Sequence, residues 1–364
     1  MELWIQWFNG VRALRKACSR KRTFTWMVLA LLGLSIRGDL LGVTSIIRAG
    51  FIHEKKYRRL LHFFHSPALN LKKLTTLWVQ FVLRVFRPVT FGDYLLLIAD
   101  GLKVPKEGHH LVTRVRITTR GYYPATLPKK PKPGRPKVYG KKVLLRHDFK
   151  RVKDFTTAPS PVYGETKINI QYLCKDLLWR PVGRIVRFVL VVHPTRGRMM
   201  LMTTLTSLDP LDVIRIYGYR FKIEVSFKQA VHTLGTYAYH FWMKEMTPIR
   251  KGSGNQYLHR KTEAYRHKIK RKIDAYHRYV QLGCIAQGLL QYLSVMFGKK
   301  VWLHFNSWLR TMNTEKAPSE MVVAQALRAS LPKFLVVNQG IHDLEKFILE
   351  NADLSRLPEM RLAG

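Results

Sequence analysis

Apolar positions recur at helical spacing from residue 1 to about 90, where Leu, Trp, Phe and Arg dominate. The run Phe24-Thr25-Trp26-Met27-Val28-Leu29-Ala30-Leu31-Leu32-Gly33-Leu34 has almost no polar side, which predicts a helix buried all round. Basic residues up to Arg22 precede it, as in a secretion signal. The run is too short to span a bilayer, however, and Arg37 and Asp39 follow with no small-residue cleavage site. Neither export nor a membrane is expected. Further on, Thr44-Ser45 opens a short helix that Gly50 stops. From His53 to Phe64, Tyr57, Leu60, Leu61 and Phe64 share one face, with Lys55, Lys56, Arg58 and Arg59 off it.

The centre of the chain changes period. Tyr94-Leu95-Leu96-Leu97-Ile98-Ala99 is unbroken and ends at Asp100, the pattern of a strand covered on both faces and central in a sheet. His110 to Arg116 alternates as a second strand. The Pro-, Lys- and Gly-rich stretch Tyr122 to Lys142 predicts a loop or extended arm. Short strands around Val143–Leu145, Lys167–Leu173, Ile185–Val192 and Met199–Leu205 predict an antiparallel β unit. Asp209 is a good N-cap with Pro210 at the first helical position, and that helix should run to Leu234-Gly235. Residues 255 to about 297 read as one or two long helices, basic first and apolar later. Ser319 to Leu331 is amphipathic, with Pro332 as its expected stop. The chain is thus read as α/β: a helical region 1–90, a core 91–235 with a β insertion over about 120–208, and a helical region 236–364.

Charge narrows the partner. Sixty-three Lys+Arg against 23 Asp+Glu leave +40, far more than solubility needs, so a polyanion is expected. Three separate stretches carry the excess, Arg12–Arg22, Lys103–Lys153 and Arg250–Arg278, which suits a protein that wraps a nucleic acid. The two short helices before residue 65 resemble a helix-turn-helix reader, although a solvated surface helix has the same pattern. Candidate DNA contacts are Lys55, Lys56, Arg58, Arg59, Lys132, Arg135, Lys137, Arg266 and Lys270. The segment Pro131 to Lys137 is similar to a minor-groove hook, but Pro133 stands where the first arginine would be, so a phosphate-contacting arm is expected. His62-x2-His65 lacks further ligands nearby and reads as helix surface. Three widely spaced cysteines imply no disulfide framework and fit a reducing cytosol.

On a helix, Tyr217, Arg220, Glu224 and Lys228 fall within about 80° of one another. A carboxylate between two cations should be ionised and able to meet a hard cation such as Mg2+ through oxygen. An i,i+4 Arg–Glu salt bridge has the same spacing. The stretch Ile216 to Lys228 resembles the signature helix of bacterial insertion-sequence DDE transposases with the Tyr-Arg-Glu-Lys pattern. Tyr217, Arg220 and Glu224 match in type and spacing. The family's lysine falls at Val231, with Lys228 on the same face instead. Co-linear similarity extends over most of the chain: Gly33–Val43, Asp100–Gly108, Gly134–Gly140, Asp176–Pro181 to Phe188–Val191, His240–Lys244, and Tyr276–Tyr279 onward.

The resemblance implies a ribonuclease H-like core in which three carboxylates hold two Mg2+ ions for DNA cleavage and strand transfer. Asp100 is similar to the first carboxylate and Glu224 to the last, both catalytic and metal-binding. No acid between them ends an apolar strand: Asp148 follows Arg146-His147, Asp176 is read in a turn, and Asp209 is a helix cap. His109 to Arg114 already resembles the segment after the second aspartate, as if an internal block were deleted near Gly108–His109. The expected function is an insertion-sequence transposase acting on the double-stranded DNA of element ends, with a homodimer as a candidate assembly and a cytoplasmic, nucleoid-associated location. This copy is expected to be defective in cutting. The alternative is a non-catalytic DNA-binding remnant.

Overall fold

The structure is a computed structural model that describes residues 2–40, 42–99, 108–126, 134–239, 241, 250, 252, 257–337 and 342–356. Its first elements are α1 (Glu2–Arg12), α2 (Lys21–Ile36), α3 (Gly42–Ala49), α4 (Tyr57–His65) and α5 (Leu71–Val85). The strands follow: β1 (Thr90–Phe91), β2 (Tyr94–Leu95), β3 (Val112–Arg114), β4 (Arg120–Pro124), β5 (Tyr139–Leu144), β6 (Thr156–Pro159), β7 (Asn169–Trp179), β8 (Arg184–His193) and β9 (Gly197–Thr203). The remaining helices are α6 (Pro210–Tyr219), α7 (Phe221–His232), α8 (Glu263–His304), α9 (Glu320–Val337) and α10 (Asp343–Leu349). The chain is mixed α/β with helical ends. It divides into two compact units, Met1–Arg87 with Ser226–Gly364, and Pro88–Val225.

The first unit is helical. α2 is buried along nearly its whole length, from Phe24 through Ile36, because its side chains offer no polar face to solvent. On α8, Leu282, Ile285, Ala286, Leu289, Leu290 and Leu293 repeat at three- and four-residue steps and are all buried. They pack with Trp4, Trp7 and Phe8 of α1 and with Leu327, Leu331 and Phe334 of α9. Part of α8 is long and apolar enough to cross a membrane by length and composition, yet 56% of that window is buried inside the protein. Helices α2 and α3 approach closely at Gly33, where a Cβ would lie 2.8 Å from the Ile46 carbonyl oxygen and 2.9 Å from its Cα. Pro332, expected as a stop, instead lies inside α9. Leu331, Phe334 and Leu335 are buried on either side of it, so core packing outweighs the lost backbone hydrogen bond. Thr44 and Ser45 likewise fall inside α3 rather than ahead of it.

Arg37 is a buried cation of this unit. Its guanidinium donates to the Gly42 carbonyl, Ser45 Oγ and the Tyr279 hydroxyl at 3.2, 3.0 and 3.0 Å, and to the Leu234 carbonyl. These neutral acceptors tie the segment after α2 to α8 and to the end of α7. Gly235, expected as a helix stop, has φ +59, and a Cβ there would also crowd Arg37 Nη2 at 2.8 Å.

The second unit is built on an antiparallel sheet in the order β3-β9-β8-β7-β4-β5, with β6 also on β7. Strand β8 is buried on both faces: Val186, Phe188 and Leu190 pack on one side, Val189 and Val191 with Val213 and Ile214 of α6 on the other. The apolar run Ile185–Val192 is explained by this double cover. Two expectations are corrected. Asp176 is mid-strand in β7, opposite Arg187, which grips it through Nε and Nη2 at 2.8 Å each; it is not in a turn. The covered central strand expected at Tyr94–Ala99 is reduced to β2, a two-residue partner of β1. Leu95 is 53% and Leu97 79% exposed, because the described residues put no strand on the outer side of β2 and no layer over either face.

Candidate nucleic-acid interface and the carboxylate helix

The best-defined local signal forms as expected. Asp209 accepts a hydrogen bond from the Leu211 N–H at 2.8 Å, and Pro210 begins α6. The single helix expected from there to Gly235 is broken at Arg220. The Arg220 N–H donates to the Tyr217 carbonyl and the Ile223 N–H to the Arg220 carbonyl, three-residue bonds that tighten the turn. At Gly218 a Cβ would stand 2.7 Å from Val162, so a larger residue would push α6 off its neighbouring loop. Tyr217 is partly buried against the sheet. Arg220 Nη1 meets Glu224 Oε1 at 2.8 Å, with both side chains about half exposed, and Lys228 is exposed one turn further. The carboxylate is thus held in an i,i+4 salt bridge, worth a few tenths of a kcal/mol in water (about 0.3–0.5).

Asp100 lies outside the described residues, as do Gly101–Glu107, Lys132 and, apart from Phe241, the His240–Lys244 motif. Most described acids between His109 and Glu224 have other partners. Asp148 pairs with Lys175 at 2.8 Å, Asp176 with Arg187 and Asp212 with Arg215. Glu165 receives Ser160 Oγ–H at 2.5 Å and lies 3.1 Å from His193 Nε2. The Ser160 hydrogen bond above all, with His193 and Arg196, lowers its pKa to about 2. Among the described residues no group of three or more His, Cys, Asp or Glu side chains could hold a metal ion.

Basic side chains do converge in the helical unit. α4 buries Leu60, Phe63 and Phe64 and turns Arg58, Arg59 and His62 outward. One depression, about 380 Å3, is lined by Arg20, Arg22, Thr23, Trp26, Arg58, Arg59, His62 and Ser66 among others. A second, about 400 Å3, shares His62 and Ser66 with it and adds His65, His267, Lys270, Arg271 and Arg278. Together they form one groove over α2, α4 and the basic half of α8. Its one acid is Asp274, which Lys270 already pairs at 2.8 Å. The N-terminus of α2 opens on it with no side-chain cap and no acidic residue in its first turn, which adds the positive end of a helix dipole.

Of the residues expected to contact DNA, the groove gathers Arg58, Arg59 and Lys270. Arg266 is exposed one turn before Lys270, and Lys55 is exposed ahead of α4. Lys56 is bound to the Glu350 carbonyl at 2.5 Å and Asn351 Oδ1 at 3.1 Å, so it fastens the C-terminal segment. Arg135 and Lys137 are exposed before β5 in the other unit. Arg20, Arg22, Arg271, Arg278 and His267 are not among the contacts expected from the sequence, and His62 and His65 were expected as helix surface. The basic runs around them were visible, but only folding puts them on one surface. No protein-family model matches this chain, and no curated protein matches it.

Proposed function

We propose that the chain is a DNA-binding protein of the insertion-sequence DDE transposase type, with an incomplete ribonuclease H-like core, that holds element ends without cutting them. The observation that carries this reading is the groove over α2, α4 and α8, where exposed arginines face solvent almost unopposed by acids. A charge of +40 held on such a surface favours a polyphosphate through counterion release. The α3–α4 pair, with Arg58 and Arg59 on its outer face, is consistent with a helix-turn-helix reader. The bare Tyr94–Ala99 segment supports the deletion reading, since a core strand that has lost its neighbours keeps its apolar sequence but not its cover. A cytoplasmic, nucleoid-associated location and a homodimer on paired ends belong to the same proposal.

Cutting would require three carboxylates around two Mg2+ ions. With Asp100 and Glu224 alone, at most one weakly held ion is expected, and such a set loses most of its effect when one member is missing. The second reading is an active cutting enzyme. The discriminating experiment incubates the protein with labelled terminal-repeat duplexes in Mg2+ or Mn2+. Binding without nicking is the expected result; nicking would overturn the incomplete-core reading, and absence of binding at low salt would overturn both.

A further inference from the structure

The lobe of the groove over α8 has a floor as well as a rim. Arg278 lines it and is only 8% exposed. Its Nη1 donates to the Phe64 carbonyl at 3.0 Å, while its Nε has no partner among the described residues. Beside it His65, at the end of α4, has a buried Nδ1 that is also unpartnered. A buried guanidinium with one N–H left over is expensive unless an acceptor reaches it. The only carboxylate in the lobe, Asp274, is already paired with Lys270. Arg271, His267 and His62 complete the rim, with Ser66 and Pro67 closing its edge.

We propose that this pocket binds a phosphate monoester, with Arg278 at its floor and Lys270 and Arg271 at its rim. A diester in a continuous backbone carries chain on both sides, so its free oxygens stay with the exposed rim cations. A monoester has three free oxygens and two negative charges, and it can turn them toward the floor, where an arginine fork suits phosphate geometry. About 400 Å3 accommodates the phosphate together with the sugar that carries it. The monoester can belong to the end of a nucleic acid strand or to a free nucleotide.

The test compares short duplexes of one sequence bearing a 5′-phosphate or a 5′-hydroxyl, and a nucleoside 5′-monophosphate against its nucleoside, by titration calorimetry at fixed salt. A doubly charged terminal group added to a duplex that already carries a charge on every phosphate changes non-specific affinity by only a small factor. The expected preference for the phosphorylated partner is tenfold or more. A preference confined to the duplex identifies a strand end; one shared by the mononucleotide identifies a free nucleotide. It should vanish in Arg278→Gln and in the double variant Lys270→Ala/Arg271→Ala, whose sites are exposed; the double variant also weakens the 5′-hydroxyl duplex, because it removes two groove cations, so the readout is the ratio of the two affinities within each variant. Equal affinities in both comparisons overturn the proposal with DNA binding left standing, as does a preference that survives the Lys270/Arg271 variant.

Discussion

The salt dependence of DNA binding offers a quantitative test of the groove. Arg58 and Arg59 project from α4 into it and have no acidic partner among the described residues. Arg58→Ala/Arg59→Ala should leave folding within about 0.5 kcal/mol of the parent, because both side chains are exposed and Leu60, Phe63 and Phe64 still hold the helix. If Arg20, Arg22, Arg58, Arg59, Lys270 and Arg271 each neutralise one phosphate, log K falls against log salt with a slope of about −5.4. Raising salt from about 50 to 200 mM then weakens binding about 1,800-fold, against about 150-fold for the double variant with its slope of about −3.6. The two lines should converge near 1 M salt, since only the counterion contribution has changed. Fluorescence anisotropy with a labelled duplex at four or five salt concentrations measures both. An unchanged slope would refute the groove, and a constant offset at every salt would point to a lost neutral contact.

Glu224→Gln should cost less than about 0.5 kcal/mol, because an exposed i,i+4 pair contributes little; urea unfolding that shows a loss of several kcal/mol would mean the residue holds more than Arg220. The same variant should bind DNA as the parent does and, like the parent, give no nicked product. Glu165 has a folded pKa near 2, below its unfolded value, so its contribution is present above about pH 4.3 and is lost as pH falls toward 2. The urea midpoint should therefore drop across that window in the parent and less steeply in Glu165→Gln; parallel curves would contradict the Ser160–Glu165–His193 network. Gly33→Ala gains up to about 1 kcal/mol of helix propensity but drives a methyl group into the Ile46 backbone, with overpacking of about 1–3 kcal/mol or more. The melting temperature should fall, and a rise would show that α2 and α3 can separate there at little cost.

Much of the local structure was legible in the residues themselves. The Asp209-Pro210 start of α6, the all-apolar α2, the two-faced α4 and the strand β8 each rest on interactions within a few residues, or on a period that one element imposes. Spacing alone also put Arg220 and Glu224 in reach of one another, although it left open whether the carboxylate was a ligand or a salt-bridge partner. Tertiary structure decided the rest. Pro332 was overruled by the core on both sides of it, and Asp176 was drawn into a long strand by Arg187 on the neighbouring one. Tyr94–Ala99 reads as a core strand in any local analysis, yet a strand exists only through its neighbours, and here it has β1 alone. The basic groove joins Arg58 to Arg271 and Arg278 across some two hundred residues of sequence. Charge in a sequence says that a polyanion is wanted; only the packing of α4 and α8 decides which cations share a surface, because that depends on long-range burial and not on local period.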